Sequence, residues 1–169
     1  MQEEYWETNP PLNHFYSNKL PTLAQKELPD SVTEFLRPWF KERTELIQAW
    51  HQALDKSIKE RDIEEVVQQL CQVLMDYVSA GHFEIYEKLL EDTKSFNDSV
   101  IHLAEPIYQR ISASTEKAIC FNEKYATEKS CRLRRKKLPF ELSRLGEALE
   151  ERFEAEDQLV KFLTQLQQQ

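Results

Sequence analysis

The chain has 169 residues, a net charge of −8, a pI near 5.1 and only two glycines, Gly81 and Gly146. That length suits one domain with a real core, and a composition rich in helix formers and poor in glycine points to an all-α class. The acidic balance argues against a general nucleic-acid binder, which needs cations to neutralise phosphates, and no apolar run reaches the ~20 residues of a membrane span.

The N-terminus, "MQEEYWETNPPLN", is acidic where a signal peptide is basic and then apolar, so a cytoplasmic protein is expected. Residues 1–30 hold Pro10, Pro11, Pro21 and Pro29 and show no sustained period, which reads as an irregular or extended tail. Tyr5, Trp6, Phe15 and Tyr16 are more aromatic surface than a solvated tail usually carries, and would pack on the bundle or on a partner. Residues 31–169 are expected to form a single helical domain.

The first helix is predicted from Ser31, whose S-x-x-E spacing to Glu34 is a capping pattern, to about Lys56. Pro38 predicts a kink or a fresh start, and Trp39, Phe40, Arg43, Leu46, Ile47, Trp50 and Leu54 then repeat at three- and four-residue steps. A second pattern, Asp62 to Glu65, opens a helix through Val67, Leu70, Leu74, Tyr77 and Val78 that stops near Gly81. A short extra helix is predicted from His82 to about Glu91, and a long one over about 99–126, with Pro106 as a kink or restart. The last, about 140–166, carries leucines on a seven-residue repeat that Arg152 and Glu156 interrupt; Phe153 and Val160, one step off, would carry the core there and turn the charged pair toward an edge. Short connections between such helices predict an up-and-down antiparallel four-helix bundle.

The corner "DYVSAGHFEIYE", residues 76–87, is unusually functional in composition. Asp76 falls in the last turn of its helix, where a carboxylate is disfavoured by about 0.3–1 kcal/mol, so it needs the amides of the next helix, a cation such as Arg43 or Lys88, or a basic group on another protein. Ser79 shares its face, Gly81 is expected in the left-handed position that ends helices, and Phe83 has the make-up of a hot spot.

Seven basic residues against Glu128 lie between 124 and 137, followed over 141–157 by seven acidic residues against two basic ones. The first reads as a solvated loop or, as the alternative function, a nucleic-acid contact; the second reads as a solvated face or a surface that attracts a basic protein helix. Enzymatic chemistry finds no support. The Glu-x-x-His pairs of di-iron bundles are missing, two isolated glycines cannot build a phosphate loop, and Cys71 with His82 lacks an orienting group. Cys71, Cys120 and Cys131 have neither disulfide nor zinc spacing. Neither a metal nor a cofactor is expected.

"LCQVLMDYVSAGHFEIYEKLL" (70–90) closely resembles the signature of the bacterial Rsd/AlgQ family, regulators that bind the primary sigma factor of RNA polymerase. "WFKERTELIQAW" (39–50) resembles the family's first-helix pattern, and "LSRLGEALEERFEAEDQLV" (142–160) its final helix; the tail and the basic run near 129–137 depart from it. The resemblance implies an anti-sigma factor that grips the C-terminal, promoter-reading domain of the housekeeping sigma factor and keeps it from polymerase and the −35 element. It implies roles in sigma binding for Asp76, Ser79 and Phe83, and the expected site adds His82, Trp39, Arg43, Glu150 and Glu154, with Gly81 as the structural corner. No membrane and no direct nucleic-acid contact are expected, and the chain is expected to be a monomer or a weak homodimer.

Overall fold

In the computed structural model of the chain, residues 30–59, 62–81 and 98–167 are described. The segment expected to be a tail, and the extra helix expected from His82 to about Glu91, lie outside them. Four long helices carry the fold: α1 (Asp30–Leu54), α2 (Ile63–Ala80), α3 (Asp98–Tyr125) and, after a short α4 (Glu128–Arg134) and a 3-10 turn (Arg135–Lys137), α5 (Leu138–Gln167). No strand occurs among the described residues.

Cross-helix bonds give the topology. Arg43 of α1 reaches Glu156 of α5 while Trp50 of α1 reaches Leu142, so α1 and α5 run antiparallel. Arg110 of α3 meets Gln158 and Lys124 meets Glu141, which makes α3 and α5 antiparallel as well. Only eight residues separate α1 from α2, and the two pack along each other, so α2 runs back along α1. The helices pack in the cyclic order α1, α2, α3, α5, an up-and-down bundle with α2 and α5 on one diagonal.

The apolar stripes read from the sequence become the core: Leu36, Trp39, Leu46 and Trp50 of α1 face Val67, Leu70, Leu74 and Tyr77 of α2, Ile111, Ala118 and Phe121 of α3, and Leu145, Leu149, Phe153 and Leu159 of α5. Phe153 and Val160 are buried as the one-step offset predicts. Trp50 sits against Gly146, where a Cβ would come within 2.6 Å of its ring, and donates from Nε1 to the Leu142 carbonyl at 2.9 Å.

Several local expectations give way. Helix α1 continues through Pro38 and α3 through Pro106, so neither proline restarts its helix, and both are exposed. Asp62 precedes α2 with φ −101° and ψ −7°, and its side chain makes no capping bond. Gly81 is not left-handed: at φ −55° and ψ −46° it stays right-handed, and its N–H bonds the carbonyls of Tyr77 and Val78. It is buried, so right-handed geometry extends to a packed position at the end of α2.

The basic run is not a loop. Thr127 accepts from the Ser130 N–H at 3.1 Å while the Ser130 hydroxyl accepts from the Thr127 N–H at 3.3 Å, closing a capping box at the start of α4. Cys131 and Leu138, one heptad apart, anchor the segment in the core.

His51 gives the bundle a pH dependence. It lies edge-on to Trp50, 5.3 Å between centroids, and partial burial holds its pKa below the ordinary 6.5. The unfolded chain binds the proton more readily, so this contribution is complete above pH 6.5 and is lost as pH falls through the lower folded value. Urea midpoints should drop between about pH 7.5 and 5, and His51→Gln should remove part of that drop.

Candidate functional site

The expected site divides into an inside and an outside. Inside, Arg43 (3% exposed), Arg152 (1%) and Glu156 (0%) form a charged layer across the bundle, all three on positions that the helical periodicity turns inward. Arg43 donates from Nε to the Tyr77 hydroxyl at 3.0 Å, from Nη2 to Glu156 at 3.0 Å and from Nη1 to Asp157 at 2.7 Å. The Tyr77 hydroxyl in turn donates to Glu156 in a short bond. Arg152 pairs through Nε with the other oxygen of Glu156 at 2.7 Å, and its Nη1 donates to Thr115 at 2.8 Å, Ser114 at 3.1 Å and the Ile111 carbonyl at 3.4 Å. Two cations therefore meet two carboxylates, and all four long helices contribute.

Aromatic rings close the layer. Trp39 stacks on Tyr77 at 5.8 Å and 5°, Phe153 meets Tyr77 edge-on at 5.8 Å, and the Arg43 guanidinium lies 5.2 Å from the Trp39 ring centre and 4.9 Å from that of Phe153. Burial pulls the Arg43 pKa down, but Tyr77, Asp157 and Glu156 outweigh it and push it above the ordinary arginine value. Burial raises the Tyr77 phenol well above 10, so it stays a donor, and raises the half-buried Asp157 carboxyl against the pull of Arg43.

This corrects the edge position expected for Arg152 and Glu156, which are among the most buried side chains of the bundle. It also removes Arg43 as the cation for Asp76, since its donors are taken. Trp39 and Arg43 are expected site residues that touch other helices, not solvent, so any part they play is to hold α1, α2 and α5 in place.

Outside, Asp76 and Ser79 are exposed on α2, on the side away from Tyr77. Both Asp76 oxygens accept from Gln72 Nε2, at 3.0 and 3.1 Å, a contact one turn back that leaves the carboxylate facing water. Phe83, His82 and Lys88 lie outside the described residues. Glu154 is exposed on α5 and pairs with Arg110 of α3 at 3.4 Å, next to the Lys117–Glu151 pair at 3.1 Å; Glu150 is partly exposed. The acidic face of α5 is thus partly neutralised by α3. Because α2 and α5 are diagonal, Asp76 and Ser79 are not brought together with Glu154: they belong to different faces.

Sequence reasoning missed Tyr77 as the hub, along with Asp157, Ser114 and Thr115. The available signal was the charged pair on an otherwise leucine heptad.

Cys71 and Cys131 are buried neighbours, and burial first, then their mutual proximity, pushes the Cys71 thiol up to about 12, which keeps it protonated and unreactive. Among the described residues no three His, Cys, Asp or Glu side chains converge as a metal site, and no helix is long and apolar enough to cross a membrane.

The family described as "Regulator of RNA polymerase sigma(70) subunit, Rsd/AlgQ" matches residues 22–164. Among curated proteins, the chain is similar to a "Regulator of sigma D" of Pectobacterium atrosepticum, 28% identical over 127 residues, covering 73% of this chain and 83% of the relative. A "Regulator of sigma D" of Yersinia enterocolitica is 27% identical over 153 residues, covering 86% of this chain and 88% of the relative. One of Yersinia pseudotuberculosis is also 27% identical, covering 86% and 87%. No solved structure matches the chain.

Proposed function

Because the chain belongs to the Rsd/AlgQ family of regulators of the RNA polymerase sigma(70) subunit, we propose that its anti-sigma action consists of gripping the C-terminal, promoter-recognition domain of the primary sigma factor through the α2 corner. The grip withholds that domain from core polymerase and from promoter DNA. It involves no chemistry on the partner: the protein works in the cytoplasm as a binding module, as a monomer or weak homodimer.

The observation that carries this reading is the exposed Asp76–Ser79 stripe on the back of Tyr77, where, among the described residues, the carboxylate accepts a hydrogen bond from Gln72 alone. A promoter-reading domain presents a basic helix–turn–helix, and a carboxylate on a rigid helix in a protein of net charge −8 complements it. Phe83, four residues after Ser79 in the sequence, is the apolar anchor of this reading. Trp39 and Arg43 act from inside, by fixing the rotation of α2 through Tyr77. Glu150 and Glu154 lie on another face, and contribute only if sigma wraps from α2 around a neighbouring helix.

Calorimetric titration with the isolated sigma domain tests the assignment. Asp76→Arg should weaken binding at least tenfold, and Phe83→Ala by about 1–2 kcal/mol, the range of hot-spot residues. Asp76 is exposed, so circular dichroism and urea midpoints of that variant should match the parent. Unchanged affinity in Asp76→Arg and Ser79→Arg would remove the corner from the site; no binding of the domain to the parent protein would remove the domain assignment.

A further inference from the structure

The end of the bundle opposite the corner carries a second surface. Leu138 and Glu156 are separated along α5 by about 27 Å at 1.5 Å per residue, so the 3-10 turn that precedes Leu138 stands well away from the charged layer. There α4 and the turn bury Cys131, Leu138 follows in the core at the start of α5, and most of the remaining side chains of the run are exposed. Arg132 through Lys137 line one continuous concave patch.

Within it, Arg132 pairs with Glu128 at 2.5 Å and with Glu64 at 3.6 Å, and Arg135 approaches Glu64 at 3.9 Å. Arg134, Lys136 and Lys137 are exposed and make no ion pair among the described residues. In the midst of these cations stands Leu133, 79% exposed, the most solvent-facing large apolar side chain among the described residues. We propose that this patch docks an acidic protein segment that carries an apolar side chain, the carboxylates meeting Arg134, Lys136 and Lys137 and the apolar group covering Leu133.

The composition of the patch selects this ligand over nucleic acid. Phosphate contacts need cations alone, so an exposed leucine adds nothing to them, and no aromatic ring lies in the patch to stack on a base. Helix α4 has seven residues and opens with Glu128, too short and wrongly charged at its tip to enter a groove. The net charge of −8 repels a long polyanion at distances where a short acidic peptide feels chiefly the local cations. A leucine ringed by charge is, in contrast, the usual build of a protein contact: an apolar centre within a polar rim.

Fluorescence anisotropy of the full chain with a labelled peptide of Glu and Asp residues around one central leucine tests the proposal, with single-stranded and duplex DNA as competing probes. The peptide should bind at low salt and weaken with added salt; Arg134→Glu with Lys136→Glu should cost at least tenfold, and Leu133→Ser about threefold to tenfold. All three positions are exposed, so the folded state should be retained, which circular dichroism checks. Absence of peptide binding at low salt overturns the proposal. So does tighter binding of DNA with no effect of Leu133→Ser, which assigns the patch to nucleic acid. Concentration-dependent self-association abolished by the same substitutions also overturns it, making a second copy of the chain the occupant.

Discussion

Replacing Arg43 with methionine is expected to lower the free energy of unfolding by about 3–5 kcal/mol, the cost of removing one partner from a buried charge network. Glu156 would keep Arg152 at 2.7 Å and the Tyr77 hydroxyl, but Asp157 and one lone pair of Glu156 would lose their donors inside the bundle. Glu156→Gln should also be costly, because it leaves two guanidinium groups facing each other across a neutral amide. The double variant should lose less than the sum: the neutral amide at position 156 no longer requires a cation, and Arg152 retains Ser114, Thr115 and the Ile111 carbonyl. Urea midpoints at constant slope measure each term, and strict additivity would show that the layer is not one coupled unit.

The second large effect lies at Trp50. Trp50→Ala removes a side chain that is 1% exposed and its Nε1 bond to the Leu142 carbonyl, which keeps only its helical partner, for an expected loss of about 3–5 kcal/mol. The same ring explains Gly146. In an open helix Gly→Ala stabilises by about 1 kcal/mol, but here the new Cβ would sit 2.6 Å from the ring, so Gly146→Ala should destabilise by about 1–3 kcal/mol. With Trp50→Ala already present the clash is gone, and Gly146→Ala should become neutral or stabilising. Thermal or urea melts of the four proteins check this change of sign. A glycine in α5 that stayed unfavourable to replace in both backgrounds would need a cause other than the tryptophan.

Much of the architecture was legible because it rests on local periodicity. The apolar steps of Leu46, Trp50 and their neighbours placed the first helix over 31–56, against Asp30–Leu54 in the structure, and the leucine heptad placed the last over 140–166, against Leu138–Gln167. The shared face of Asp76 and Ser79 followed from their three-residue spacing, and both are exposed on α2. What the sequence hid depends on distant partners. Arg152 and Glu156 look like surface charges until Arg43, more than a hundred residues earlier, is brought against them. Gly81 misled in another way, since a residue without a side chain fits either hand of helix and its neighbours decide which. In 124–137 the density of charge drowned two quiet signals of helix, the Thr127–Ser130 cap and the heptad from Cys131 to Leu138.

The charged layer also sets what the bundle is free to do. Sliding α2 by one helical turn, about 5.4 Å, would strand the Tyr77 hydroxyl and strip Arg43 of a ligand, so the layer acts as a register lock that resists any ratcheting of one helix past another. Asp76 is the chain neighbour of Tyr77, so the lock also fixes the height and azimuth of that carboxylate. If sigma binds at Asp76 as proposed, it meets a carboxylate already in place, and little ordering entropy opposes its binding.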